Sequence, residues 1–85
     1  MATILDRLKT VIAEELGVDE DAVVPAASFA EDLNADAADL AELLISVEEA
    51  FSTPQRKVEI SDAAINDIVI VQDVIDLLRE YVPEE

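Results

Sequence analysis

Apolar residues recur at helical spacing in three stretches of the chain. Leu5, Leu8, Ile12 and Leu16 fall on one stripe, with Ile4 and Val11 beside it, which predicts a first helix from about Thr3 to Leu16. Thr3 is placed to cap it, with Asp6 three residues on, and Gly17 stands where a left-handed residue stops a helix. Leu40, Leu43, Leu44, Val47 and Phe51 predict a second helix from Ala37 to Phe51, with Asp36 as its N-cap. Val71, Val74, Ile75, Leu78 and Val82 predict a last helix from about Val71 to Tyr81, stopped by Pro83, with Glu84 and Glu85 fraying.

The connections differ in character. Residues 18–35 form a long first loop, in which Asp19-Glu20-Asp21 can start one helical turn and Pro25 drives Val24 out of helical geometry. Phe29 and Leu33 are apolar within this polar loop and are expected to pin it to the core. Ser52 to Lys57 is a linker broken by Thr53-Pro54, and Ser61 or Asp62 can cap a short helix through Asp67. A strand through Ile65, Ile68, Val69 and Ile70 is the competing reading, but no second strand pattern exists to pair with it. The run Ile68-Val69-Ile70-Val71 either deepens the core or marks a contact surface, and the core is favoured because a small bundle needs every apolar group. The predicted fold is all-α: a small four-helix bundle of three longer helices and one short one, forming a single domain over residues 1–85.

Composition narrows the chemistry. Hydrophobic residues make up 52% of the 85, enough for an ordered core. With 5 Lys+Arg against 21 Asp+Glu the net charge is −16, which repels nucleic-acid phosphates and anionic lipid and favours basic partner surfaces. There is no Cys and no His, so disulfides, thiol nucleophiles, zinc sites and His-based proton transfer are excluded. A single Gly excludes a Gly-rich phosphate loop. No signal-peptide or membrane-spanning run is visible, which sets the expectation of a cytoplasmic protein without membrane insertion.

Between Thr10 and Gln55 stand 12 acids and no base. Within the second helix, about 100° per residue brings Ala38, Glu42, Ile45 and Glu49 onto the face opposite the apolar stripe. Asp32-x-Asn34-x-Asp36 matches the first half of an EF-hand loop. Ala37 stands at the position that needs Gly and Leu43 at the position that needs a bidentate Glu, so no metal site is expected. Paired acids such as Glu48-Glu49 diverge around the helix and cannot flank one substrate. No nucleophile, base or metal set supports an enzyme.

The order of short motifs is more specific than any one of them. Leu16-Gly17-Val18-Asp19-Glu20, Pro25-Ala26-Ala27-Ser28-Phe29-Ala30-Glu31-Asp32-Leu33, Asn34-Ala35-Asp36, Glu42-Leu43 and Val47-Glu48-Glu49-Ala50-Phe51 follow one another, and then come Val58-Glu59-Ile60-Ser61-Asp62 and Val71-Gln72-Asp73-Val74-Ile75-Asp76. This series resembles the acyl carrier proteins over about residues 4–82. The resemblance implies a four-helix bundle of the acyl-carrier-protein type and a role in fatty-acid or polyketide biosynthesis. It also implies partners among acyl-processing enzymes with basic surfaces and a phosphopantetheinyl transferase; the chain is expected to be a monomer. The second helix would be the docking surface. Asp39, Glu42, Glu48 and Glu49 would steer, and Ala38, Ala41 and Ile45 would give a small apolar contact.

One departure bears on the chemistry. The family attaches 4′-phosphopantetheine to the Ser of an Asp-Ser-Leu motif, and the matching residues here are Asp36, Ala37 and Ala38. Ala37 has no hydroxyl, so the chain as written takes no cofactor there; with Ser at position 37 it would take 4′-phosphopantetheine. Two accounts stand side by side: a Ser→Ala form of a carrier, or a carrier relative that lost its attachment site and kept an interaction or regulatory role. Asn34 replaces a family Gly and is expected to keep its left-handed turn. The 52–59 linker is longer than usual, and Val69-Ile70 replaces hydroxyl residues that would cap the last helix.

Overall fold

The computed structural model describes residues 3–82. Three α-helices make up the fold: α1 (Ile4–Leu16), α2 (Ala37–Phe51) and α3 (Val71–Arg79). Two 3₁₀ segments, Glu20–Ala22 and Asp62–Asp67, lie in the connections. The expected short helix is thus a 3₁₀ stretch rather than an α-helix. Ser61 is its N-cap, and the Ser61 hydroxyl accepts from Ala63 N at 3.1 Å. The described residues form no strand beyond isolated bridges, and none of their helices is long and apolar enough to cross a membrane.

Local signals fix the helix ends. The Thr3 hydroxyl accepts from Asp6 N at 3.1 Å and the Asp6 carboxylate accepts from Thr3 N at 3.2 Å, closing a reciprocal cap on α1. Gly17 ends the helix at φ 68°, and its N–H donates to Ala13 O. The buried stripe of α1 is Ile4, Leu8 and Ile12, with Leu5, Val11 and Leu16 only partly covered. The expected stripe is therefore rotated by one position at its N-terminus. At the start of α3 no side chain caps from Ile70; instead the Asp73 carboxylate accepts from Val69 N and Ile70 N at 2.9 and 3.0 Å. The helix ends at Arg79, two residues earlier than expected. Tyr81 N and Val82 N turn back onto Leu78 O, and the Tyr81 hydroxyl donates to Glu59 O at 2.7 Å. The expected stop at Pro83 lies outside the described residues.

α1 runs antiparallel to α2. Arg7 lies over the Phe51 ring at 4.3 Å and donates to Ala50 O at 3.1 Å, while Ser46 donates to the Glu15 carboxylate further along. The long loop crosses both, with Phe29 and Leu33 buried in the same core as the apolar stripe of α2. Asn34 takes the left-handed turn at φ 57°. Residues 27–29 pair with 69–71 through Phe29 N to Val69 O and Val71 N to Ala27 O, both 3.0 Å.

This pairing corrects one expectation. Ile68 and Val71 are buried, but Val69 is 62% exposed and Ile70 is half-buried. Extended backbone turns successive side chains to opposite sides, so Val69 faces solvent instead of the core.

The charge surplus acts on this fold as a whole. The ion pair between Asp76 and Arg79, at 3.6 Å, is exposed and offsets little of the −16. Raising salt from about 0.01 M to about 0.15 M shortens the Debye length from roughly 30 to 8 Å. The melting temperature should rise by about 5 °C, the equivalent of roughly 1 kcal/mol for a domain of this size. A thermal melt that stays flat or falls over that range would show that self-repulsion does not limit stability.

Candidate functional site

The site is built on the exposed face and N-terminus of α2. Leu40, Leu43, Leu44, Val47 and Phe51 are all buried, which fixes the rotation of the helix and sends the opposite face outward. Asp36 is the N-cap. Its carboxylate accepts from Asp39 N at 2.9 Å, and the Asp39 carboxylate accepts from Asp36 N at 3.2 Å. The first turn is thereby closed by two acids, and one of the amides that a helix N-terminus offers to a phosphate is already taken.

Ala37 is the first residue of α2, and its methyl is exposed, as is Ala38. The donor set does not fit a phosphodiester-linked group: no side-chain oxygen stands at position 37. Nearby hydroxyls do not substitute. The Ser28 hydroxyl accepts from Glu31 N at 3.1 Å in the loop, and half-buried Ser46 donates to Glu15 deep along the helix.

The acids expected to dock partners separate into two pairs. Glu42 and Glu49 are exposed and accept no hydrogen bond from another described residue. Asp39 is half-buried within the cap, and half-buried Glu48 accepts from Ile60 N. The latter bond ties the returning linker to α2, together with Ser52, whose hydroxyl accepts from Val58 N at 3.0 Å and donates to Glu48 O at 2.6 Å. Glu48 thus has a structural task that its place in the sequence does not reveal. Between Glu42 and Glu49 stands Ile45, 56% exposed, with half-buried Ala41 beside it. The face offers free carboxylates around an apolar centre. That arrangement supports reversible contact with a basic surface and provides no group for bond-making. Among the described residues no cluster of acids is placed to hold a metal ion.

Val69 belongs to these surroundings, where the sequence favoured the core over a contact surface. It stands across a groove from Ala37, and that groove is also lined by Asp36, Leu40 and Ile68. Its only signal was membership of an apolar run, which does not tell inside from outside.

The family described as "Phosphopantetheine attachment site" matches residues 6–78. The chain is also 46% identical over 79 residues to an acyl carrier protein of Thermosynechococcus vestitus, covering 93% of this chain and 91% of that protein. The family match spans most of α1, the long first loop, α2 and most of α3, so the chain belongs to the acyl carrier protein family.

Proposed function

We propose that this chain is an acyl-carrier scaffold of fatty-acid or polyketide biosynthesis that docks acyl-processing enzymes through the exposed face of α2 and, with Ala37, does so without a prosthetic group. Its family consists of carriers rather than enzymes, which bear 4′-phosphopantetheine where the Ser is present and work with acyl-processing enzymes and a phosphopantetheinyl transferase. The observation that carries the reading is at the start of α2. A doubly capped helix N-terminus and an exposed acidic face are kept, while position 37 is a bare methyl. A binding or regulatory role follows: the protein competes for, or holds, the basic surface that a loaded carrier would use.

On this reading the chain is one domain, acting as a cytoplasmic monomer. The 3₁₀ stretch Asp62–Asp67 stands in for the short helix of a four-helix bundle. Asp36, Ala37 and Ala38 mark the disused attachment position. Glu42 and Glu49 steer, Ile45 and Ala41 form the apolar contact, and Asp39 and Glu48 add negative potential while holding the backbone.

Charge reversal tests this. Glu42→Lys or Glu49→Lys should slow association with a basic partner such as a broad-specificity phosphopantetheinyl transferase by about tenfold at low salt, with a smaller change in dissociation. The rates can be read by stopped flow. Equal association rates for the parent and both variants would remove the docking role.

A further inference from the structure

Two of the bases in this acidic chain are engaged within the fold: Arg7 donates to Ala50 O at 3.1 Å, and Arg79 pairs with Asp76 at 3.6 Å. Arg56 and Lys57 differ. They are adjacent, both are exposed, and neither forms an ion pair with another described residue, although the chain has 21 acids. Their position is fixed. Residues 53–56 close a tight turn through Thr53 N to Arg56 O at 2.7 Å and Arg56 N to Thr53 O at 3.1 Å, with Pro54 at its second position. The Thr53 hydroxyl also accepts from Arg56 N at 3.0 Å. Ser52 and Glu48 tie both sides of this turn to α2 through Val58 N and Ile60 N.

The turn walls a groove of about 910 Å³ at the C-terminal end of α2. Lys57 lines it together with exposed Glu49 and Glu59, and Pro54 and half-buried Ile60 add apolar surface. We infer that this groove docks a protein segment carrying charges of both signs: a base received by Glu49 and Glu59, and an acid received by Arg56 and Lys57. The inference rests on the docking role of α2 proposed above and adds a positive end to its acidic face.

The two signs act at different ranges. From beyond a Debye length a partner meets the net charge of −16, which draws a basic surface in. On contact, local signs decide. A uniformly basic surface meets like charge at residues 56–57, whereas a surface with an acid there meets its complement. The turn thereby sets the register of docking and selects among basic partners. The partial negative charge at the C-terminus of α2 adds to the attraction for the base. Nucleic acid and anionic lipid bring no base for Glu49 and Glu59. A second copy of the chain brings both signs, but also a further −16, so a different protein is favoured.

The test uses the full chain, ¹⁵N-labelled, at low salt, with two Lys-rich peptides that differ only in ending on Glu-Glu or Gln-Gln. The net charge of the protein favours the Gln-Gln peptide, so only a local contact can reverse the order. The parent should bind the Glu-Glu peptide about threefold more tightly, with shifts at the amides of Glu49, Lys57 and Glu59. With Arg56→Gln and Lys57→Gln combined, the preference should turn to the Gln-Gln peptide. Both positions are exposed, and the turn is closed by main-chain groups and Thr53, so the fold is kept. The same preference in parent and variant would overturn the two-sign groove; the docking role of α2 stands in that case if Glu42→Lys weakens both peptides. No α2 amide shift with either peptide would overturn both. A parent dimer in sedimentation that the Arg56 and Lys57 substitutions disperse would make a second copy the occupant and overturn the inference as well.

Discussion

The Ala37→Ser protein, incubated with coenzyme A, magnesium and a broad-specificity phosphopantetheinyl transferase, should gain the mass of one phosphopantetheine, while the parent protein gains none. The reasons lie in the first turn of α2. The reciprocal bonds between Asp36 and Asp39 fix its geometry without help from residue 37, so a hydroxyl added there enters a preformed helix start. Position 37 is exposed, so the substitution should change stability by less than about 0.5 kcal/mol. Exposed Glu42 and Glu49 remain to attract a basic transferase. Ala38 sets the rate. The family has Leu there, and the missing apolar area is worth about 1–2 kcal/mol if a partner buries it. Modification of Ala37→Ser should therefore be slower than that of Ala37→Ser with Ala38→Leu. Intact-protein mass over time reads both. If neither folded variant gains mass, this helix start no longer has the geometry of an attachment site.

The second large effect is on stability. Phe51→Ala should cost about 3–5 kcal/mol, out of the roughly 5–15 kcal/mol that a domain typically has. Phe51 is 2% exposed, ends the buried stripe of α2, and carries the Arg7 guanidinium over its ring at 4.3 Å. Its removal opens a cavity and also frees the contact that joins the N-terminal half of α1 to the end of α2. The melting temperature should fall by at least about 12 °C. Ile45→Ala, on the same helix but 56% exposed, should shift stability by less than about 0.5 kcal/mol. Thermal melts of the two variants side by side check the assignment of the two faces. A loss below about 1 kcal/mol for Phe51→Ala would contradict the packing described.

What was legible in the sequence was local. The Thr3–Asp6 cap, the Gly17 stop, the Asp36 cap and the stripe from Leu40 to Phe51 each depend on residues within a few positions of one another, and each stands where periodicity and capping rules put it. The family resemblance was legible because it is a matter of order along the chain. What was hidden depends on chain return. Glu48 reads as one more surface acid until the linker folds back and Ile60 N meets it. Val69 reads as core until residues 69–71 pair with 27–29 and the extended backbone turns it outward. The segment Asp62–Asp67 follows its Ser61 cap as capping rules suggest, but it closes as 3₁₀, which no residue within it signals. Within the candidate site, the identity of the exposed acids was readable from spacing. Which of them are free to meet a partner was not, because that depends on backbone groups supplied by distant residues.

On the proposed function, α2 still docks a basic partner although position 37 cannot be loaded. The most direct measurement is competition: transferase-catalysed modification of the Ala37→Ser protein in the presence of increasing amounts of the unmodified parent. The parent should inhibit competitively at concentrations near the KM of the variant and gain no mass itself, and inhibition should be lost when the competitor carries Glu42→Lys and Glu49→Lys. An unchanged modification rate at a large excess of parent, or phosphopantetheine mass on the parent, would contradict it.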